Sequence, residues 1–174
     1  MTSFTAQNLG AGRYDRIKKG TLQSMIVMGV IVLCGVGLGM LLTVNDLYFH
    51  VFLSADKVTA ETVRFGNALL YVDFAMYPFL GGVFLIRNCV QGIGRPSFVL
   101  GAGAAELVAR IAVCLLLPAA VAGGMVSASA PPLAFYALCA ADPMAWIAAD
   151  AVLCVPLIRN IMRMDYRYLR SGQI

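Results

Sequence analysis

Four of the nine acidic residues, Asp73, Glu106, Asp142 and Asp150, fall inside long apolar runs. A charged side chain near the centre of a bilayer costs at least ~2.5 kcal/mol, so each of these carboxylates must face protein or water. The chemistry open to them is ion pairing or the transient holding of a cation or proton. Glu106 and Arg110 stand four residues apart in the run Gly103 to Gly123. On a helix they share a face, with the acid N-terminal to the base, the favourable order. They read either as a structural salt bridge or as a carboxylate on an ion path with its counter-charge.

Asp142 has no basic residue one turn away on its own segment. It precedes Pro143, which denies the carbonyl of Cys139 its helical donor. A carboxylate beside a free carbonyl is the arrangement of cation sites in broken membrane helices. Asp150 follows eight residues later, about 80° around and ~12 Å along a helix, so the two aspartates partly share a face. Hydrogen-bonded interior aspartates, with Asp142 close to the outer interface, are the alternative. Asp73 sits in "LLYVDFAMYPFLGG" among Tyr71, Phe74, Tyr77 and Phe79. Such a setting suits a lipophilic cation through charge and cation–π attraction. It equally suits an interfacial aromatic belt.

Other chemistries find no support. His50 is the single histidine, so no Ser/His/Asp or Cys/His arrangement can be built, and an enzyme is not expected. The five cysteines are widely spaced in or beside apolar runs, as small buried hydrophobes are. Neither a metal site nor a resident cofactor is expected. "GAGAAE" at Gly101 has no strand before it, and its small residues suit close helix packing.

The elements that must carry these residues follow from composition. The chain is 60% hydrophobic and 13% charged, with a mean hydropathy of +0.81. Soluble domains run about 45–50% apolar and about 25% charged. An all-α integral membrane protein is expected, with the lipid bilayer as its first partner. Four segments reach the ~20 residues a spanning helix needs, at about 22–44, 67–90, 98–122 and 133–158. Residues 1–20 then form a connector and 21–174 the four-helix portion. The outer segment 45–66 is too charged to cross. Its Ser54 is a candidate cap for a helix from about Ala55 into the second span. Pro78, followed by Gly81 and Gly82, should bend the second span, and Pro143 the fourth.

Ten of the thirteen basic residues fall in the N-terminal segment, the connector between the second and third spans, and the C-terminal tail. Lys57 and Arg64 are the two on the opposite side. This asymmetry puts both termini in the cytoplasm. No basic face with interleaved aromatics appears, which argues against a nucleic-acid partner. No cleavable leader is expected ahead of the first span, and the spans themselves are expected to direct insertion.

Four stretches, in order, carry a resemblance: "AQNLGAGRYDRIKKG", "RNCVQGIGR", "AAELVAR" and "DPMAW". Together the chain resembles the multidrug and toxic compound extrusion (MATE) family of efflux transporters. That resemblance implies twelve helices in two six-helix lobes and exchange of protons or sodium ions for small organic cations. It matches the chain to the end of helix eight and to helices nine through twelve. The first lobe and helix seven would then be missing partners, and the chain a C-terminal part inactive alone. The acid that the NorM-like branch places in helix ten falls near Leu80, so Asp73 does not simply inherit that role. The cation or substrate path candidates are Glu106, Asp142, Asp150 and Asp73, supported by Arg110, Tyr71, Tyr77, Pro78 and Pro143. The expected location is a cell membrane, of the bacterial inner type. The rival readings are a complete four-helix exporter working as a homodimer and a membrane scaffold subunit that transports nothing.

Overall fold

In the computed structural model, which describes residues 1–124 and 131–162, the described residues are almost all helical. The elements are α1 (Thr2–Gly10), α2 (Tyr14–Thr43), α3 (Leu47–Phe52), α4 (Ala60–Gly92), α5 (Pro96–Ala122), α6 (Pro132–Leu138) and α7 (Ala141–Pro156). A π-helical turn, Leu157–Met162, extends α7. Four helical segments are long and apolar enough to cross a membrane: Tyr14–Thr43, Ala60–Gly92, Pro96–Ala122 and Pro132–Arg159. The loop residues 125–130 and the tail with Arg163, Arg167 and Arg170 lie outside the described residues.

The helix ends have local causes. The second span begins not from Ser54 but at Thr59, whose side-chain oxygen accepts from the Thr62 amide at 3.1 Å. That bond satisfies one of the donors a helix start leaves open. Ala55–Lys57 forms only a 3-10 turn. Between α4 and α5 the chain reverses at Gly94, whose φ of +74° is one that glycine adopts freely. Pro96 opens α5, where a missing amide hydrogen costs nothing. The first span starts earlier than its apolar stretch, because Tyr14–Lys19 continues the same helix below Gly20.

α7 is the centre of the bundle, packed along both α4 and α5, while α4 and α5 touch each other little. Ala102, Ala145 and Ala149 are fully buried, and their small side chains let the α5 and α7 backbones approach. Around them Val83, Leu85, Ile86, Cys89, Val90, Trp146 and Leu153 form one apolar core with Ile17 of α2. α1 lies across the end of α4. A Cβ on Gly92 would stand 2.6 Å from the Thr2 carbonyl oxygen and 2.6 Å from Thr5 Cβ, so only glycine permits this seat. α2 is held mainly by α4. No residue of its most apolar stretch is buried.

Pro78 interrupts the α4 hydrogen-bond ladder without ending the helix. Just beyond it, the two glycines serve different neighbours. Gly81 leaves room for Met28 and Val32 of α2, at 3.0 and 3.2 Å from an added Cβ. Gly82 leaves room for Asp150 of α7, at 2.9 Å. The fourth span is broken outright between Leu138 and Ala141, where Pro143 cannot donate to Cys139. Pro143 itself is buried in the first turn of α7.

Candidate functional site

The four acids separate into two settings. Glu106 and Asp142 belong to an ionic cluster that ties three helices together. Arg110 of α5 reaches Asp142 Oδ1 of α7 at 2.8 Å through a terminal nitrogen and at 2.9 Å through Nε. The same guanidinium stands 3.4 Å from Glu106 Oε1. Glu106 has a closer base in Arg87 of α4, at 3.1 Å. The alternation Arg87–Glu106–Arg110–Asp142 balances two positive against two negative charges. All four side chains keep between 22% and 42% of their surface accessible. Neither acid is therefore a bare charge waiting for a counter-ion.

The pairings depart from what spacing on one helix suggests. Glu106 and Arg110 do meet, but their contact is the longest in the cluster. Asp142, solitary on its own helix, takes its base from α5. Arg110 lies halfway along α5, and this pairing brings Asp142 to that level of the bundle. Arg87 escapes sequence reasoning because it looks like an end-of-span topology residue. The signal for it is the tight α4–α5 turn, which folds Arg87 back toward Glu106.

Asp73 and Asp150 are different. Each has one carboxylate oxygen, Oδ1, that is buried and without a hydrogen-bond partner. Asp73 lies near enough to Asp142 and Tyr77 for their electrostatic interaction to matter. Tyr77 is the middle of a ring ladder, 5.5 Å from Phe74 and 6.1 Å from Trp146 between centroids. Tyr71 does not join it and is exposed. Asp150 stands at the wall of an open groove of about 450 Å³ between α2, α4 and α7. Its other walls are Met25, Pro78, Phe79, Gly82, Ile86, Ile147, Ala151 and Cys154. The structure thus brings Glu106, Arg110 and Asp142 together, sets Asp73 near them, and leaves Asp150 apart with Pro78.

Among the described residues, no group of three or more His, Cys, Asp or Glu side chains could hold a metal ion. The five cysteines are free, and Cys89 is buried beside Thr21.

Four helical segments long and apolar enough to cross a membrane, with paired charges linking three of them, define a multi-pass helical membrane protein. The family model described as MatE matches residues 1–116, two thirds of the 174-residue sequence. The chain belongs to this family of membrane transporters. The match ends within α5, so α6 and α7, which carry Asp142 and Asp150, lie beyond it. No curated protein and no solved structure matches the chain.

Proposed function

We propose that the chain forms one wall of a cation-coupled exporter that exchanges protons or sodium ions for small organic cations. The observation that carries this reading is the division of the acids. Two are neutralised by arginines and fix the helices, while Asp73 and Asp150 keep a buried oxygen with no donor. An unsatisfied buried acceptor is costly, and a cation or proton that visits it relieves that cost. A cation that binds one cavity orientation more tightly than the other shifts the equilibrium between them, which is how such coupling does work.

The chain is further proposed to need a first lobe and a helix corresponding to helix seven. Alternating access in this kind of transporter is the rocking of one repeat against another. The apolar flank of α2, exposed along its length, is consistent with further helices packing there. The location that goes with this reading is a bacterial inner membrane with both termini in the cytoplasm.

The test is reconstitution of the purified chain in liposomes under an imposed proton or sodium gradient, with uptake of a lipophilic cation as readout. High helicity and a monodisperse detergent profile establish that it is folded. The expected result is no gradient-driven accumulation by the chain alone. Accumulation is expected when it is co-expressed with the first lobe and helix seven of a MatE-family transporter. Accumulation by the chain alone that disappears in Asp150→Asn would overturn the need for partners and favour a homodimeric exporter. No accumulation in either form would favour a scaffold subunit.

A further inference from the structure

We infer that the groove between α1, α2 and α4 seats one anionic phospholipid, with an acyl chain laid along α2 and the phosphate held by Arg16 and Lys19 at the N-terminal end of that helix.

The groove encloses about 390 Å³ and is open along one side. Its α2 wall is formed by Gly20, Gln23, Ser24, Val27 and Ile31, with Phe4 of α1 on one flank. The Phe4 ring lies where a Cβ of Gly20 would stand, which seats α1 as the second wall. From Gly20 to Ile31 is ~16 Å of helix. The hydrocarbon core of a bilayer is ~30 Å thick, so the groove has the depth of one leaflet. A helix that crossed the membrane in this place would need a groove twice as long.

The polarity of the wall changes in the order in which a phospholipid changes. Val27 and Ile31 are exposed or half-buried apolar residues at the deep end. Gln23 and Ser24 follow at the level of the glycerol esters. The Ser24 hydroxyl already donates to Met1 Sδ at 3.0 Å, so the exposed Gln23 amide is the donor left for an ester carbonyl. Arg16 and Lys19 come last, both exposed. Arg16 stands ~6 Å beyond Gly20 along the helix, within the ~5–8 Å that headgroups add on each side of the core.

These bases lie on the groove's side of the helix. At ~100° per residue, Arg16 is about 20° from Val27 and Lys19 about 80°. Lys18 falls about 180° away, and Asp15, the acid of α2, about 120° away. α1 carries no charged side chain. Among the described residues, no acid pairs with Arg16 or Lys19. Topology asks only for bases at one end of a span. It does not ask for two of them on the face that bears a groove, nor for the acid to turn away. A phosphatidylcholine headgroup brings its own ammonium to the phosphate, whereas phosphatidylglycerol leaves the phosphate to the protein. Each base near the membrane surface then favours the anionic lipid by about fivefold. The exposed Leu22 and Leu33 face away from the groove and stay open to helix contacts.

The experiment is native mass spectrometry of the purified full chain in detergent, titrated with phosphatidylglycerol and phosphatidylcholine of identical acyl chains. One phosphatidylglycerol per chain is expected, bound at least about 25-fold tighter than phosphatidylcholine, fivefold for each of two bases. Arg16→Gln with Lys19→Gln should remove about 25-fold of that preference, while Arg95→Gln, an exposed base off the groove, should leave it unchanged. Val27→Trp, which fills the groove, should weaken both lipids, and Leu22→Trp, about 140° away, neither. Equal retention of the two lipids would overturn the inference. So would an equal loss in Arg95→Gln, which would mean attraction to the whole surface. Displacement by glycerol 3-phosphate would mean a site for free phosphate, and loss of the lipid on co-expression with a first lobe and helix seven would mean that a protein segment fills the groove. Lipid retention needs neither gradient nor substrate, so its failure is distinct from a failure of transport.

Discussion

Arg110 on α5 holds Asp142 on α7 at 2.8 Å, closer than the 3.4 Å that separates it from Glu106 one turn away on its own helix. The cross-helix bond clamps α7 immediately below the break in the fourth span. Arg110→Ala is therefore expected to destabilise the bundle more than Glu106→Gln, because it takes from Asp142 its base and the cross-helix tie with it, whereas Glu106→Gln leaves the Arg110–Asp142 pair in place. Breaking a fully buried pair costs ~3–5 kcal/mol. Partial exposure of these side chains reduces that to about 1–3 kcal/mol. Thermal unfolding in detergent measures it. Exchanging the two charges, Arg110→Asp with Asp142→Arg, should recover part of the loss. A double variant no better than the worse single one would show that the pair is not the clamp.

Gly92 and Gly103 make a matched comparison for packing. Gly92→Ala drives a methyl group into the Thr2 carbonyl and Thr5, both within 2.6 Å. A loss of about 1–3 kcal/mol is expected, with α1 lifted from α4. Gly103 has nothing within 4 Å of its absent Cβ, so Gly103→Ala should be neutral or stabilising by up to about 1 kcal/mol. Melting curves of the two variants read the sign, and release of α1 is read by protease access near Gly12.

The basic asymmetry makes a separate statement about orientation. Reporter fusions after Gly20, at Arg95 and at the C-terminus should all report cytoplasm, and one near Lys57 the opposite side. An outside signal at Arg95 would invert the assigned topology.

What the sequence makes legible follows from the range of each interaction. The helical class rests on apolar runs, which are contiguous, and the break in the fourth span rests on a single proline, so both can be read directly. The start of α4 at Thr59 instead of Ser54 turned on two nearby hydroxyl residues, either of which could cap. The Glu106–Arg110 contact is visible because it is one helical turn. Arg110–Asp142 and Arg87–Glu106 are not, since they depend on how α7 sits against α5 and how α4 folds back. The same holds for Gly82 and Asp150, 68 positions apart in sequence, which meet only because α7 packs on α4 at this point. A doublet of glycines after a proline reads as a loosened helix. Which helix fills the space it leaves is a tertiary fact.

Asp73 and Asp142 provide the sharpest test of the division among the acids, because one isosteric change should act oppositely at the two positions. Asp142→Asn keeps the shape but removes the charge that Arg110 contacts at 2.8 Å. Arg110 then retains Glu106 alone, itself shared with Arg87. Stability should fall by about 1–3 kcal/mol, again below the ~3–5 kcal/mol of a fully buried pair. Asp73→Asn removes a charge whose buried oxygen has no partner. It also removes its electrostatic interaction with Asp142. Folding should therefore be unchanged or improved by up to about 1 kcal/mol, since an uncompensated buried charge is a cost that the amide does not carry. Chemical unfolding of both variants in the same detergent gives the comparison. A loss at position 73 equal to that at 142 would mean that Asp73 has a structural partner, and would remove it from the cation path. A gain in stability at 73 accompanied by lost uptake in the complete transporter would mark an acid retained for transport at the expense of the fold.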